Sequence, residues 1–287
     1  MTLEDCRRYY ADEIRLVAGL CSPPLVEAFA RVPREKFLGR GPWKIALAEQ
    51  LGLAGAGSSA PAYVTTDDPR DLYHNVLVAL DATRGLNNGQ PSTLAHWIQA
   101  LDLRAGDRVY HLGCGAGYYT AIMAEIVGAG GSVVASEVDA SLAERARENL
   151  AGYRNVTVQA GDGAAFDPGI CDAMLINAGV THPHRPWLER LGEGGRVVLP
   201  LTFTTREATG TGIMVKIVRE RSGFSASIVS TVGIYSCTSA RDPELEPLLK
   251  KALATGSFLQ IKSARLEAHE QTESCVLHRS DVCLSTV

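Results

Sequence analysis

His111-Leu112-Gly113-Cys114-Gly115-Ala116-Gly117-Tyr118 closes a short apolar run, Arg108 to Leu112, and leads into a helical stretch, Ala121 to Val127. Glycines at this joint let the chain turn tightly and bring backbone close to a ligand, at the carboxyl end of a strand. Outward from the loop, Ser132 to Ser136 reads as a second strand and Ala140 to Asn149 as a charged amphipathic helix. Val156 to Gln159, Ala173 to Asn177 and Arg196 to Leu201 are further strand candidates. Strands alternating with helices predict parallel β-α-β units in a doubly wound α/β sheet.

The pattern changes at the flanks. Ile213 to Arg219 and Phe224 to Tyr235 are β-rich around a Ser222-Gly223 turn, which predicts an antiparallel hairpin. Pro243 to Ala254 reads as helix, and Cys275 to Val287 as a last edge strand. Residues 1 to 50 read as mostly helical, Leu51 to Ala62 as a mobile Gly/Ala/Ser loop, and 63 to 91 as irregular. Within the irregular part lie a short apolar run, Val76 to Leu80, and a turn-rich segment, Arg84 to Gly89.

Composition narrows the class. The 287 residues carry 28 basic and 32 acidic side chains, a net charge of −4 with no long run of either sign, so no nucleic-acid partner is expected. At 46% hydrophobic the chain can build a full core, yet no stretch approaches the roughly 20 apolar residues that span a bilayer, and no membrane partner is expected. The opening MTLEDCRRYYADEIR is charged and lacks an apolar h-region, so no secretory signal is expected and the location is expected to be cytoplasmic. Seven cysteines, an odd count without a C-x-x-C pair, suit reduced thiols better than a disulfide frame or zinc site, and no metal is expected.

In the central loop the third glycine follows the second by two residues, not three. That spacing turns the reading from a pyrophosphate loop toward one cradling S-adenosylmethionine through Gly113, Gly115 and Gly117. Glu137 ends the second strand, 20 residues after Gly117, where a carboxylate can accept from two ribose hydroxyls. Asp162, in Gly161-Asp162-Gly163 after the third strand, can accept from an adenine amino group. Features at successive strand ends on one sheet edge point to a nucleoside cofactor. Asn177 ends the fourth strand and is a candidate substrate contact. His182 and His184 would need a third ligand to hold a metal, and Thr181 to His184 reads as a polar loop. Trp43, Trp97 and Trp187 read as packing anchors, and Cys114 as filling within the loop.

Several segments resemble protein-L-isoaspartate O-methyltransferases. They are Gly161-Asp162-Gly163, Leu142 to Leu150 (LAERARENL), Gly194 to Pro200 (GGRVVLP) and Val32-Pro33-Arg34-Glu35-Lys36-Phe37. The resemblance spans about residues 25 to 240. It implies a Rossmann-like class I S-adenosylmethionine-dependent methyltransferase fold, a seven-stranded, mostly parallel sheet with antiparallel C-terminal strands. The implied organisation is a helical N-terminal region with the substrate loop (1–91), a cofactor-binding core (92–240) and a C-terminal extension (241–287). The implied reaction is methyl esterification of a carboxylate on a peptide or protein.

The chain departs from the family at its substrate loop. Counting back without gaps from Gly113, the family's Gln-Pro pair falls on Gln90-Pro91 and its active-site serine on Gly89, preceded by Asn87 and Asn88. A one-step slip would offer Ser92 or Thr93, beyond the Gln-Pro pair. The family hydroxyl is therefore expected to be absent; Asn88, Gly89 and Asn177 are the substrate-side candidates. The resemblance also implies cofactor contacts from Asn87, Gln90, Gly163 and Thr238, the last beside Tyr235. His111 stands where the family has Glu or Asp, and is expected to orient the loop while changing its charge. Three functions follow: a carboxylate methyltransferase whose acceptor is one dedicated peptide rather than damaged protein; a small-molecule hydroxyl or amine methyltransferase with His111, His182 or His184 as base; and a non-catalytic scaffold that binds S-adenosylmethionine. Neither the oligomeric state nor the role of residues beyond Arg241 is legible.

Overall fold

The computed structural model describes residues 1–47, 62–206 and 208–287. All of the expected Leu51 to Ala62 loop except Ala62 lies outside them. Helices α1 (Leu3–Val17) and α2 (Pro23–Arg31) open the chain. Short strands β1 (Trp43–Ala46) and β2 (Tyr63–Thr66) pair antiparallel, as do β3 (Ala79–Asp81) and β4 (Leu86–Asn87). Trp43–Ala46 is thus a strand inside a stretch expected to be mostly helical. Its aromatic and β-branched residues find a partner only after the chain returns at Tyr63.

The α/β core follows: α3 (Pro91–Ala100), β5 (Arg108–Leu112), α4 (Tyr118–Val127), β6 (Ser132–Glu137), α5 (Ala140–Leu150), β7 (Val156–Ala160), β8 (Cys171–Ile176), α6 (Arg185–Glu189) and β9 (Leu191–Arg206). Then come β10 (Thr209–Glu220), β11 (Gly223–Tyr235), α7 (Glu246–Thr255), β12 (Ser263–Arg265), β13 (Cys275–His278) and β14 (Cys283–Ser285). The sheet order is β13-β14-β12-β11-β10-β9-β8-β5-β6-β7. Strands β7, β6, β5, β8 and β9 run parallel, and β10 and β11 add the expected antiparallel hairpin. Those seven make the expected Rossmann-like sheet; β12, β14 and β13 extend it to ten, so Cys275 to Val287 supplies a hairpin where one strand was expected.

Both faces of the core are covered, which is why its strands read as apolar runs. Val109, Ala135, Leu175, Val198 and Met214 point to the face that α1, α2, α3 and α4 cover. Tyr110, Leu112, Met174, Ile176, Val197 and Leu199 point to the other, against Trp187, Leu249 and Phe258. The N-terminal helices reach the site through Arg34, fully buried, whose guanidinium donates to the carbonyls of Leu72, His74 and Val76. Beside it Tyr73 donates to Glu35, so Val32 to Phe37 fastens the segment leading into the β3–β4 ribbon.

Removing that guanidinium takes away a buried donor to Leu72 O and part-buried ones to His74 O and Val76 O. Arg34→Met is expected to cost about 3 kcal/mol or more, because hydrogen bonds to a charged donor are each worth about 1.5–3 kcal/mol. Urea unfolding checks this; a loss under about 0.5 kcal/mol, the size of an ordinary surface change, would show that the cluster does not hold the segment.

Candidate active site

Strand β5 sits where the sheet order reverses, with β6 and β7 on one side and β8 and β9 on the other. Such a switch point opens a crevice beyond the carboxyl ends of the strands. Here it is a cleft of about 1800 Å³, bounded by the glycine loop, the ends of β6, β7 and β8, the Asn87–Gln90 loop, and Thr238. Gly113 and Cys114 both donate their amides to Ser136 O, tying the loop to β6. Gly113 has φ +75°, and a Cβ there would lie 2.9 Å from Asn177 O, so only glycine lets the end of β5 approach β8. Gly117 caps α4 from the left-handed region.

Glu137 is 8% exposed. Its Oε2 accepts from Gly115 N at 2.8 Å and its Oε1 from Asp139 N at 3.0 Å, which fixes the carboxylate at the cleft wall with lone pairs to spare. Asp162 Oδ1 accepts from Ala164 N at 2.9 Å and Ser239 Oγ at 2.8 Å. A Cβ on Gly163 would meet Ser136 Oγ at 2.2 Å and Tyr110 Oη at 2.7 Å, so its backbone packs directly on β5 and β6. Asn177 Nδ2 donates to Gly113 O at 3.1 Å. Gly113, Gly115, Glu137, Asp162, Gly163 and Asn177 therefore share one cleft wall.

The facing wall is the loop after β4. Asn87 Oδ1 accepts from Gly89 N at 2.9 Å, Asn88 Oδ1 from Val78 N at 3.0 Å, and Gln90 Nε2 donates to Asn75 O at 2.6 Å. These side chains shape the loop itself; Asn88 Nδ2 is buried without a partner. Gly89 adopts φ +79°, and a Cβ there would lie 2.8 Å from Leu94 Cδ2. A side chain at this position would therefore be opposed by both the backbone conformation and Leu94. Pro91 opens α3, and of the two residues beyond it only Thr93 lines the cleft.

Three contacts hold this loop and its ribbon across the cleft, and sequence reading singled out none of them. Tyr119 Oη donates to Gly89 O at 3.1 Å, Tyr235 Oη to Gly85 O at 2.6 Å, and Arg84 Nη1 to Asp139 Oδ2 at 2.6 Å. Tyr119 follows the glycine loop directly and Arg84 opens the turn-rich segment, but neither position carries a signal for a partner so distant in sequence.

The histidines lie elsewhere. His111 is fully buried on β5, with Nδ1 2.9 Å from Thr120 Oγ1, and burial alone pushes it down to about 3. It orients the start of α4 as a neutral ring. His182 is pushed down to about 4, chiefly by burial and then by Arg279. No histidine among the described residues lines the cleft. Burial pushes the Cys114 thiol up, as suits a side chain that fills space. Trp187 is buried, and Trp97 packs with its Nε1 donating to Ser230 Oγ at 3.0 Å.

Known proteins resemble this chain in sequence and in fold. The profile of the family described as protein-L-isoaspartate(D-aspartate) O-methyltransferase (PCMT) covers residues 17–224. A protein-L-isoaspartate O-methyltransferase of Aeropyrum pernix is 30% identical over 240 residues, 80% of each chain. One from Ignicoccus hospitalis is 35% identical over 162 residues, 54% of this chain and 75% of that one. Among solved structures, a protein-L-isoaspartate O-methyltransferase superposes with a TM-score of 0.59 at 20% identity, over 91% of this chain and 72% of the other. A Plasmodium falciparum protein, named as a putative member in complex with S-adenosyl-L-homocysteine, gives 0.56 at 15% identity, over 81% and 98%. Those two structures share the fold. By the profile and the relatives together, the chain belongs to the protein-L-isoaspartate(D-aspartate) O-methyltransferase family.

Proposed function

We propose that this chain methylates a carboxylate on a peptide or protein with S-adenosylmethionine, and that its acceptor is a dedicated peptide in place of damaged protein. The observation that carries the reading is the convergence of Gly113, Gly115, Glu137 and Asp162 on one cleft wall, opposite a loop whose serine position is a left-handed glycine. The donor set fits the cofactor. Glu137 offers acceptors for ribose hydroxyls, Asp162 one for the adenine amino group, and Gly113 to Gly117 a side-chain-free approach. Asn87, Gln90, Gly163 and Thr238 complete the proposed cofactor contacts, and Asn88, Gly89 and Asn177 face the acceptor.

S-adenosylmethionine supplies an electrophilic sulfonium methyl group and leaves as a neutral thioether. The acceptor carboxylate is ionised at neutral pH, so the chain need only align it and exclude water, which proximity and desolvation can accomplish without a general base. The absence of histidine from the described cleft wall suits that chemistry and disfavours a hydroxyl or amine acceptor, for which a base would be wanted. Loop polarity then sets which carboxylate fits. With Gly89 at φ +79° and Leu94 2.8 Å from the missing Cβ, the loop cannot present a serine as it stands, and a peptide shaped to the Asn-Asn-Gly turn fits it better. Among the described residues no helix is long and apolar enough to cross a membrane.

Purified protein incubated with S-adenosylmethionine and an isoaspartyl peptide should bind the cofactor and give little or no methyl ester by intact mass. Rapid esterification would restore damaged protein as the substrate. Gly89→Ser should not rescue that activity and should lower stability by about 1–3 kcal/mol, the cost of a non-glycine residue in a left-handed conformation.

Glu137→Gln should weaken cofactor binding at least tenfold by calorimetry, since a hydrogen bond to a charged acceptor is worth about 1.5–3 kcal/mol. An unchanged dissociation constant would remove Glu137 from the site.

With the accepted peptide, the single-turnover rate should stay flat from about pH 6 to 8, because both buried histidines discharge far below that window and a carboxylate is ionised throughout. A log-linear rise would point to a titrating base.

A further inference from the structure

The C-terminal extension brings together four side chains from residues 269–283: His269, Cys275, His278 and Cys283. Their ligand atoms all lie within 4.8 Å of one another. Cys275 and His278 stand at the two ends of β13, Cys283 opens β14 directly opposite His278, and His269 reaches in from the segment after β12. We propose that these residues form a structural zinc site of two thiolates and two imidazoles.

The chemistry of the donors selects the metal. Two sulfurs and two ring nitrogens closing on one point make the tetrahedral set that zinc prefers in closed structural sites. The surroundings already prepare the ligands. His269 Nδ1 lies 2.8 Å from Glu267 O, so it carries the proton and leaves Nε2 as a bare acceptor, 3.6 Å from Cys275 Sγ. A backbone carbonyl fixing the outer nitrogen is the usual support of a metal-bound histidine. The two imidazole rings meet edge to face at 4.9 Å, and His278 Nδ1 is buried with no hydrogen-bond partner. Thr272 offers both its amide and its hydroxyl to Cys275 Sγ at 3.4 Å, donors that suit a charged sulfur. Binding releases two thiol protons to solvent, and the divalent cation with two thiolates and two neutral imidazoles is uncharged overall, as a partly buried position requires.

The site has a structural task. Strands β12, β13 and β14 hold only 3, 4 and 3 residues, too few ladder bonds to secure an edge hairpin without help. Leu277 and Leu284 of that hairpin share a buried cluster with Leu249 and Ala252 of α7. The same helix places Lys250, Leu253 and Ala254 on the cleft wall. A metal joining β13, β14 and the residue-269 segment therefore braces the helix that walls the cleft.

Untagged full-length protein purified without chelator should contain about one zinc per chain by plasma mass spectrometry. After removal of the metal under reducing conditions, cobalt(II) should give thiolate charge-transfer and tetrahedral ligand-field bands, and the metal-free chain should melt at a lower temperature. Cys275→Ser and Cys283→Ser should each abolish the cobalt spectrum, while Cys21→Ser, at an exposed cysteine outside the cluster, should keep it. The cobalt titration of the unaltered chain decides the matter even if the serine variants misfold. A folded chain that takes up neither metal would overturn the site. So would a Cys275–Cys283 disulfide in freshly isolated protein, seen as a mass two hydrogens low that reduction restores.

Discussion

The end of β5 has to lie against two neighbouring strands at once, and the cleft exists because no side chain intervenes. Gly113 rests on the Asn177 backbone, and Gly163 on Ser136 and Tyr110. Around these contacts the strand ends are stitched by Gly113 and Cys114 donating to Ser136 O, Tyr110 Oη to Gly163 O, and Asn177 Nδ2 to Gly113 O. A methyl group at either glycine would force β5 away from β8 or from the turn after β7, and Glu137 would lose its grip on Gly115 N. The cleft wall that carries Glu137 and the sheet's close backbone packing are one structure.

The opposite wall is attached separately. The Asn87–Gln90 loop is attached to the core mainly through side-chain hydroxyls and one ion pair, namely Tyr119, Tyr235 and Arg84 with Asp139. The two tyrosines end on backbone carbonyls and so require no particular side chain at Gly85 or Gly89, whereas Arg84, Asn87, Asn88 and Gln90 hold the segment through their own side chains. Gly89 is reached only through its carbonyl, which accepts from Tyr119 Oη, so the loop's backbone meets the core without passing through the cofactor wall. Arg34 works at the other end of this segment, where its guanidinium collects three carbonyls and sets where the ribbon begins.

What the sequence made legible follows the range of the forces involved. The glycine loop, Glu137 and Asp162 stand at fixed offsets from strands that are apolar on both faces, so periodicity alone carries them to one edge. The Arg196 to Leu201 strand was visible at its buried centre, but its ends at Leu191 and Arg206 depend on pairing with β8 and β10, and its full length was not. The short β1–β2 and β3–β4 ribbons escaped for a related reason: four residues or fewer carry no period, and their partners are set by the fold. His111 reads from sequence as a ring that orients the loop and changes its charge; what the sequence does not carry is its complete burial, which keeps it neutral and pairs it with Thr120 on the following helix.

A count of the cysteines does not show which of them the fold brings together. Counting them gives an odd number with no C-x-x-C pair, which reads as reduced thiols; five of the seven are buried, namely Cys6 on α1, Cys114 in the glycine loop, Cys171 on β8, Cys237 after β11 and Cys283 on β14. Cys275 and Cys283 differ because an antiparallel hairpin folds their strands together and two histidines of other spacing complete the group. The four residues are close in sequence, but it is the β13–β14 register that sets His278 opposite Cys283. At the end of a ten-stranded sheet, where each strand adds only a few hydrogen bonds, ligands gathered in this way can hold what ladder pairing alone leaves weak.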